Sequence, residues 1–139
     1  MLNRVLGALA LALAVTAGSA SAQSAAPAGE EPVARGRPLS EWIADLKAAS
    51  PAIRNAAAYE IAGMGPAATA AVPTLIEALD DPMPAVRFPV TVALGEIGPG
   101  AAAAVPRLKQ MMEEDLNDEI ASAARRAIRH IQPSALAGQ

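Results

Sequence analysis

Residues 72–99 read VPTLIEALDDPMPAVRFPVTVALGEIGP, and this stretch decides the fold. Pro73 suits the start of a helix, because the first turn does not use the N–H that proline lacks. The proline-rich run 80–84 predicts a turn, and Gly98-Pro99 predicts the end of a second helix, since glycine adopts the left-handed conformation and proline blocks continuation. The stretch therefore predicts one helical hairpin, with helices at about 73–80 and 85–96.

The same hairpin recurs on both sides of this stretch. A shift of 33 residues places Ala52-Ile53-Arg54 on Ala85-Val86-Arg87, and a further shift of 34 places Ile97 on Ile131. First helices are predicted at 39–48, 73–80 and 105–114, and second helices at 52–63, 85–96 and 118–131. One hairpin cannot bury its apolar face alone, whereas three stacked hairpins can. We therefore expect an all-α fold, an α-solenoid of three helical hairpins with about six helices.

The repeats occupy residues 38–133, as units of about 38–70, 71–103 and 104–133. Residues 23–37 are rich in Ala, Pro and Gly without apolar periodicity, which predicts a disordered linker, and residues 134–139 are predicted to be a disordered tail. The N-terminus combines Arg4, an apolar run at residues 5–15 and the small-residue motif Ala20-Ser21-Ala22, which together predict a signal peptide over residues 1–22.

We expect cleavage after Ala22 and a periplasmic or secreted protein with no membrane attachment after signal cleavage. An uncleaved membrane anchor is the alternative, but a span needs roughly 20 apolar residues, and the run at 5–15 is shorter. No second hydrophobic segment is long enough to hold the mature chain in a membrane.

Composition argues against several kinds of chemistry. The chain has no cysteine, one histidine, 14 acidic and 11 basic residues and a net charge of -3, so we expect no thiolate site, no metal, no cofactor and no nucleic-acid partner. Acidic residues surround the last turn, and Arg125, Arg126 and Arg129 follow them in the predicted last helix. We interpret this arrangement as a helix-dipole effect, with a cation site as the alternative.

Three segments resemble the HEAT-repeat family, specifically its short bacterial form called PBS-lyase HEAT-like. They are Val72-Pro73-Thr74-Leu75-Ile76, Asp81-Pro82-Met83-Pro84-Ala85-Val86-Arg87 and Leu94-Gly95-Glu96-Ile97-Gly98-Pro99. The segment from Gly36 to Ile43 is similar to the start of many exported bacterial HEAT proteins. The resemblance covers residues 38–133 and implies an interaction scaffold with a protein partner, not an enzyme.

The resemblance also implies a structural ladder. In this repeat type an Asp in the turn and an Arg six residues later commonly form a polar row along the stack. Here the row would contain Arg54, Asp81, Arg87 and Asp115, which we call the ladder. Ala48 and Ala121 stand where the first Asp and the last Arg would be, which favours a stack of three repeats.

The alignment predicts a binding face on the second helices, which line the concave side of such solenoids. Position one of each second helix is predicted to be core (Ile53, Val86, Ile120), so positions three, seven and eleven point away from it. From these we take a second-helix face of Asn55, Tyr59, Phe88, Val92, Glu96, Arg126 and His130. Local packing of Phe88, reshaped by the neighbouring Pro89, is the alternative to an interface. Trp42 aligns with Leu75 and Leu108, which predicts core.

The function that these observations favour is a non-catalytic protein-interaction module that uses the second-helix face. The alternative is a structural, self-associating repeat unit, hence a possible homo-oligomer. A bilin lyase or a HEAT-type hydroxylase is a remote alternative. Such hydroxylases use paired His-Glu motifs to bind iron, and the chain has no such pair.

Overall fold

A computed structural model of the chain describes residues 29–138. The predicted signal peptide, residues 23–28 of the predicted linker and residue 139 lie outside the described residues. The helices are α1 (Leu39–Asp45), α2 (Pro51–Met64), α3 (Val72–Ala78), α4 (Pro84–Ile97), α5 (Val105–Glu114) and α6 (Asp118–Ile131). Consecutive helices pair as three hairpins, and the second helices stack in the order α2, α4, α6. The expected all-α repeat architecture is confirmed.

Proline and glycine mark the helix boundaries as the sequence predicts. Pro51 and Pro84 are the first residues of α2 and α4. Both helices end before a glycine with positive φ, 57° at Gly65 and 74° at Gly98, a conformation that glycine adopts without steric cost. The segments that follow, Gly65–Ala71 and Gly98–Ala104, form 3-10 helices that the sequence analysis did not predict.

The core is built from small and branched aliphatic side chains between successive repeats. Helix α4 is the most enclosed, because it packs against α2 on one side and α6 on the other. Its Gly95 lies so close to α6 that an added Cβ would be 3.1 Å from the Cα of Ala127. An alanine-rich sequence with a glycine at this crossing therefore lets the second helices approach closely.

The predicted linker at 23–37 is wrong in its second half. Residues Val33–Ala34 (β1) and Arg37–Pro38 (β2) pair as antiparallel strands, and the turn residues Arg35 and Gly36 have φ of 50° and 75°. Positive φ at both central residues suits a two-residue hairpin turn. Two-residue strands have no periodicity to read, which is why the sequence analysis missed them.

This β-hairpin covers the start of the helical stack. The indole Nε1 of Trp42, which is buried as predicted, donates to the carbonyl of Ala34 at 3.2 Å. The Arg37 guanidinium lies 4.1 Å from the centroid of the Trp42 ring, a cation–π distance. Arg35 forms an ion pair with Glu60 of α2 at 2.6 Å. The hairpin is therefore held to the stack by Trp42 and Glu60.

Two further expectations differ from the structure. The predicted disordered tail 134–139 is wrong at its start, because Pro133–Leu136 forms a 3-10 helix whose Ala135 and Leu136 pack against the core. Ile53 was predicted to be core and is 45% exposed, whereas the equivalent Val86 and Ile120 are buried. Ile53 belongs to the first repeat, so it has no preceding hairpin against which to pack.

One helical stretch among the described residues, Pro84–Glu114, is long and apolar enough to cross a membrane by length and composition alone. Its most apolar window is 61% buried inside the protein, and the stretch contains α4, a 3-10 segment and α5. Core helices of water-soluble folds meet the same criterion, so this stretch is weak evidence for a membrane span.

Candidate functional site

The ladder residues form two successive ion pairs between repeats. The Arg54 guanidinium donates from Nε and Nη2 to the two carboxylate oxygens of Asp81, at 2.6 and 3.1 Å. Its Nη1 donates to the carbonyls of Ala48 and Ala49 in its own repeat, at 2.8 and 3.0 Å. Arg54 therefore hydrogen-bonds both to the turn of its own repeat and to the turn of the next repeat. A lysine could not reproduce this fork geometry.

The second ion pair repeats the first, one unit along the chain. Arg87 donates to Asp115 at 3.0 and 3.2 Å and to the carbonyl of Asp81 at 3.0 Å. Burial alone would raise the pKa of Asp81 and Asp115. Hydrogen bonds from Arg54 and Arg87 and from backbone N–H groups, together with nearby guanidinium charges, outweigh burial and lower the pKa of both carboxyls. The ladder thus joins the repeats into one unit.

The second-helix face divides into two depressions in the structure. A groove of about 340 Å³ is lined by Asn55, Tyr59 and Phe88 together with the starts of α4 and α6. A smaller recess of about 70 Å³ is lined by the remaining members of the face, Val92, Glu96, Arg126 and His130. The first depression has an aromatic wall, and the second is bordered by charged side chains.

Asn55 has a structural role that the sequence analysis did not predict. Its side-chain Nδ2 donates to the carbonyl of Ala85 in the next repeat at 2.5 Å. In a regular helix that carbonyl would accept from residue 89, but Pro89 has no N–H. Asn55 therefore supplies the donor that Pro89 lacks, and α4 continues through the proline to Ile97. At least one N–H of its amide is therefore engaged within the fold.

The two aromatic residues of the face differ in exposure. Tyr59 is 49% exposed, whereas Phe88 is half-buried and packs against the hydrophobic core. The alternative of local packing therefore applies to Phe88 in part and not to Tyr59. A large exposed aromatic beside a groove is a typical anchor point in protein interfaces.

The charged end of the face is larger than predicted. Glu96, Arg126 and His130 are exposed, and Arg126 also lines a second groove, of about 460 Å³, with Arg125 and Arg129. From the sequence, these two arginines were expected only to balance the acidic residues of the last turn. Their spacing offered a signal, because neither has an acidic residue three or four positions away on α6 to form an intrahelical ion pair.

The repeated hairpins, the proline and glycine boundaries and the inter-repeat Arg–Asp pairs agree with a comparison to known families. The family model described as HEAT repeats matches residues 39–129. The chain belongs to the HEAT-repeat family. No curated protein is significantly similar to the chain in sequence.

HEAT repeats generally mediate protein–protein interaction or scaffolding, and the family is typically non-enzymatic. In this HEAT-repeat protein, residues 29–138 contain no group of three or more His, Cys, Asp or Glu side chains placed to hold a metal ion. The second-helix face combines one exposed aromatic side chain, one aliphatic side chain (Val92) and separated charges.

Proposed function

We propose that this protein is a non-catalytic interaction module that binds a protein partner on the concave second-helix face. The observation that carries the proposal is Tyr59, an exposed aromatic beside the groove between α2 and α4. The chain has one Tyr, one Phe and one Trp, and Trp42 is buried beneath the β-hairpin. Leaving one of three aromatics in contact with water costs stability, and binding of a partner would recover it.

Site-specific photo-crosslinking tests this proposal. A benzophenone amino acid at position 59 is expected to give a covalent adduct with the partner in cells that produce the protein. The same amino acid at Glu77, an exposed residue of α3 away from the groove, is the matched control. Tyr59→Ala is expected to abolish partner retention with unchanged circular dichroism at 222 nm. Adducts from position 77 and none from position 59 would place the interface on the first helices instead.

We also propose that the protein acts after export from a bacterial cytoplasm, in the periplasm or outside the cell. The support is the N-terminal pattern of residues 1–22, with its apolar run and Ala20-Ser21-Ala22 motif. The intact mass of the exported protein is expected to correspond to a chain that begins at Gln23. A mass that includes Met1 in the exported fraction would contradict cleavage.

A further inference from the structure

The arginines of the described chain fall into two groups. Five of them form ion pairs: Arg35, Arg37, Arg54, Arg87 and Arg107. Within residues 29–138 no carboxylate pairs with Arg125, Arg126 or Arg129, all exposed on α6. A protein of net charge -3 therefore places three arginines without carboxylate partners together on its last helix.

These arginines adjoin the recess of Val92 through one shared residue, and neither depression shares a lining residue with the groove of Tyr59. Arg126 lines the recess that contains Val92 and also the groove that contains Arg125 and Arg129. Tyr59, Val92 and Arg126 occupy the same position in successive second helices, so they form a row across the face from aromatic to aliphatic to basic. Adjacent packed helices lie about 8–10 Å apart, which places Tyr59 and Arg126 roughly 16–20 Å apart.

We propose that the partner segment that binds this face is an acidic peptide with an apolar anchor. The anchor side chain binds beside Tyr59 and Phe88, and carboxylates of the segment accept hydrogen bonds from Arg126 and its neighbours on α6. An extended chain rises about 3.3 Å per residue, so the anchor and the carboxylates are separated by about five or six residues. This inference rests on the proposed function and adds the chemistry of the partner.

Two other occupants fit the arginines less well. An anionic membrane surface would also face Glu113, Glu114, Asp118 and Glu119 of the same hairpin, which would repel it. A second copy docking through α6 would need an apolar centre, and the exposed large hydrophobic residues among the described ones, such as Tyr59 and Leu116, lie outside α6. A narrow acidic segment can contact the arginines without reaching Glu113 and Glu114, although Asp118 lines the arginine groove and Glu119 lines the groove of Tyr59.

A substitution at Glu96 can distinguish an acidic partner segment from a basic one. It is exposed in the same recess as Arg126 and His130, without an ion pair in the described part of the chain. Its carboxylate repels an acidic segment and attracts a basic one. Glu96→Gln is therefore expected to strengthen binding of an acidic segment about two- to threefold, as for one exposed charge pair, and to weaken binding of a basic one.

The experiment is selection of random twelve-residue peptides, displayed on phage, against the exported protein. Selected peptides are expected to be enriched in Asp and Glu about five or six residues from an aromatic or aliphatic residue. Fluorescence anisotropy then gives the Kd of the best peptide for each variant. Arg126→Glu is expected to raise Kd at least tenfold, because a hydrogen bond to a charged group is lost and a repulsion is added. Lys109→Glu, the same charge change on α5 outside these grooves, is the matched control and is expected to leave Kd unchanged.

Every other outcome is decisive. Peptides that need Tyr59 but carry no acidic enrichment would overturn this inference and leave the proposed function intact. No selected peptide, together with no crosslink at position 59, would overturn both. Binding of anionic phosphatidylglycerol vesicles without acidic-peptide binding would assign the arginines to a membrane. An Arg126-dependent rise of mass with concentration would assign them to a second copy.

Discussion

The hydrogen bond from Asn55 to Ala85 gives a sharp test of how one repeat stabilises the next. We expect Asn55→Ala to destabilise the protein because Pro89 cannot donate to the Ala85 carbonyl. In a Pro89→Ala background the main-chain N–H of residue 89 becomes available to that carbonyl. In that background Asn55→Ala is expected to lower the free energy of unfolding by less. The two positions are therefore coupled although they lie in different repeats.

The magnitude follows from the environment of the bond. A neutral intramolecular hydrogen bond contributes about 0.5–1.5 kcal/mol, and Ala85 is exposed, so water partly replaces the lost donor. We therefore expect Asn55→Ala to lower the free energy of unfolding by about 1 kcal/mol in the natural sequence. The loss of stability is expected to be near zero after Pro89→Ala, which gives a coupling energy of about 1 kcal/mol.

Urea unfolding of the two single variants and the double variant, followed by circular dichroism at 222 nm, measures this coupling. Ser122→Ala is the control, because Ser122 occupies the equivalent position of the third repeat and is exposed. The control is expected to change stability by no more than about 0.5 kcal/mol. If Asn55→Ala costs the same in both backgrounds, within about 0.3 kcal/mol, Asn55 does not compensate for Pro89 and the reasoning is refuted.

Three further perturbations test the packing between repeats. Arg87→Ala is expected to lower the free energy of unfolding by about 2–3 kcal/mol, because it leaves the 6% exposed side chain of Asp115 without its guanidinium. Arg107→Ala, whose partner Asp80 is 65% exposed, is expected to cost at most about 1 kcal/mol, so equal losses in thermal unfolding would contradict the ladder. The folded-state pKa of Asp81 and Asp115 is lowered, so their contribution to stability is fully present above the unfolded pKa of about 4 and disappears as the pH falls through the folded pKa. Urea midpoints that stay constant from pH 5 to pH 2 would speak against it. Gly95→Ala is expected to cost about 1–3 kcal/mol from contact with Ala127, whereas Gly63→Ala, with open space around its Cβ, is expected to stabilise by up to about 1 kcal/mol; matching changes in urea midpoint would remove the close-packing argument.

The sequence predicted those features that repeat. Internal alignment gave the three hairpins, and α5 and α6 were predicted to the residue. The alignment also located the Asp and Arg positions of the ladder in each repeat. The resemblance supplied the idea of a polar row, and the contacts of Arg54 and Arg87 supplied its geometry.

Features that occur once were missed. The β-hairpin at 33–38 uses two-residue strands and has no counterpart in the later repeats. Asn55 was assigned to partner binding because its position points away from the core, and its hydrogen bond to a carbonyl that a proline leaves free one repeat later was missed. Such compensation depends on a contact between repeats, so neither Asn55 nor Pro89 predicts it when read alone.

The ladder also limits how this chain could have changed in length during evolution. Duplicating a central unit of 33 residues and inserting it in tandem would keep every guanidinium opposite a carboxylate, since Arg54 and Arg87 serve the same role in successive units. A unit joined before the first hairpin would meet Ala48, and one joined after the last would meet Ala121. Insertion of a central unit is thus compatible with the existing side chains, whereas addition of a unit at either end requires new ones.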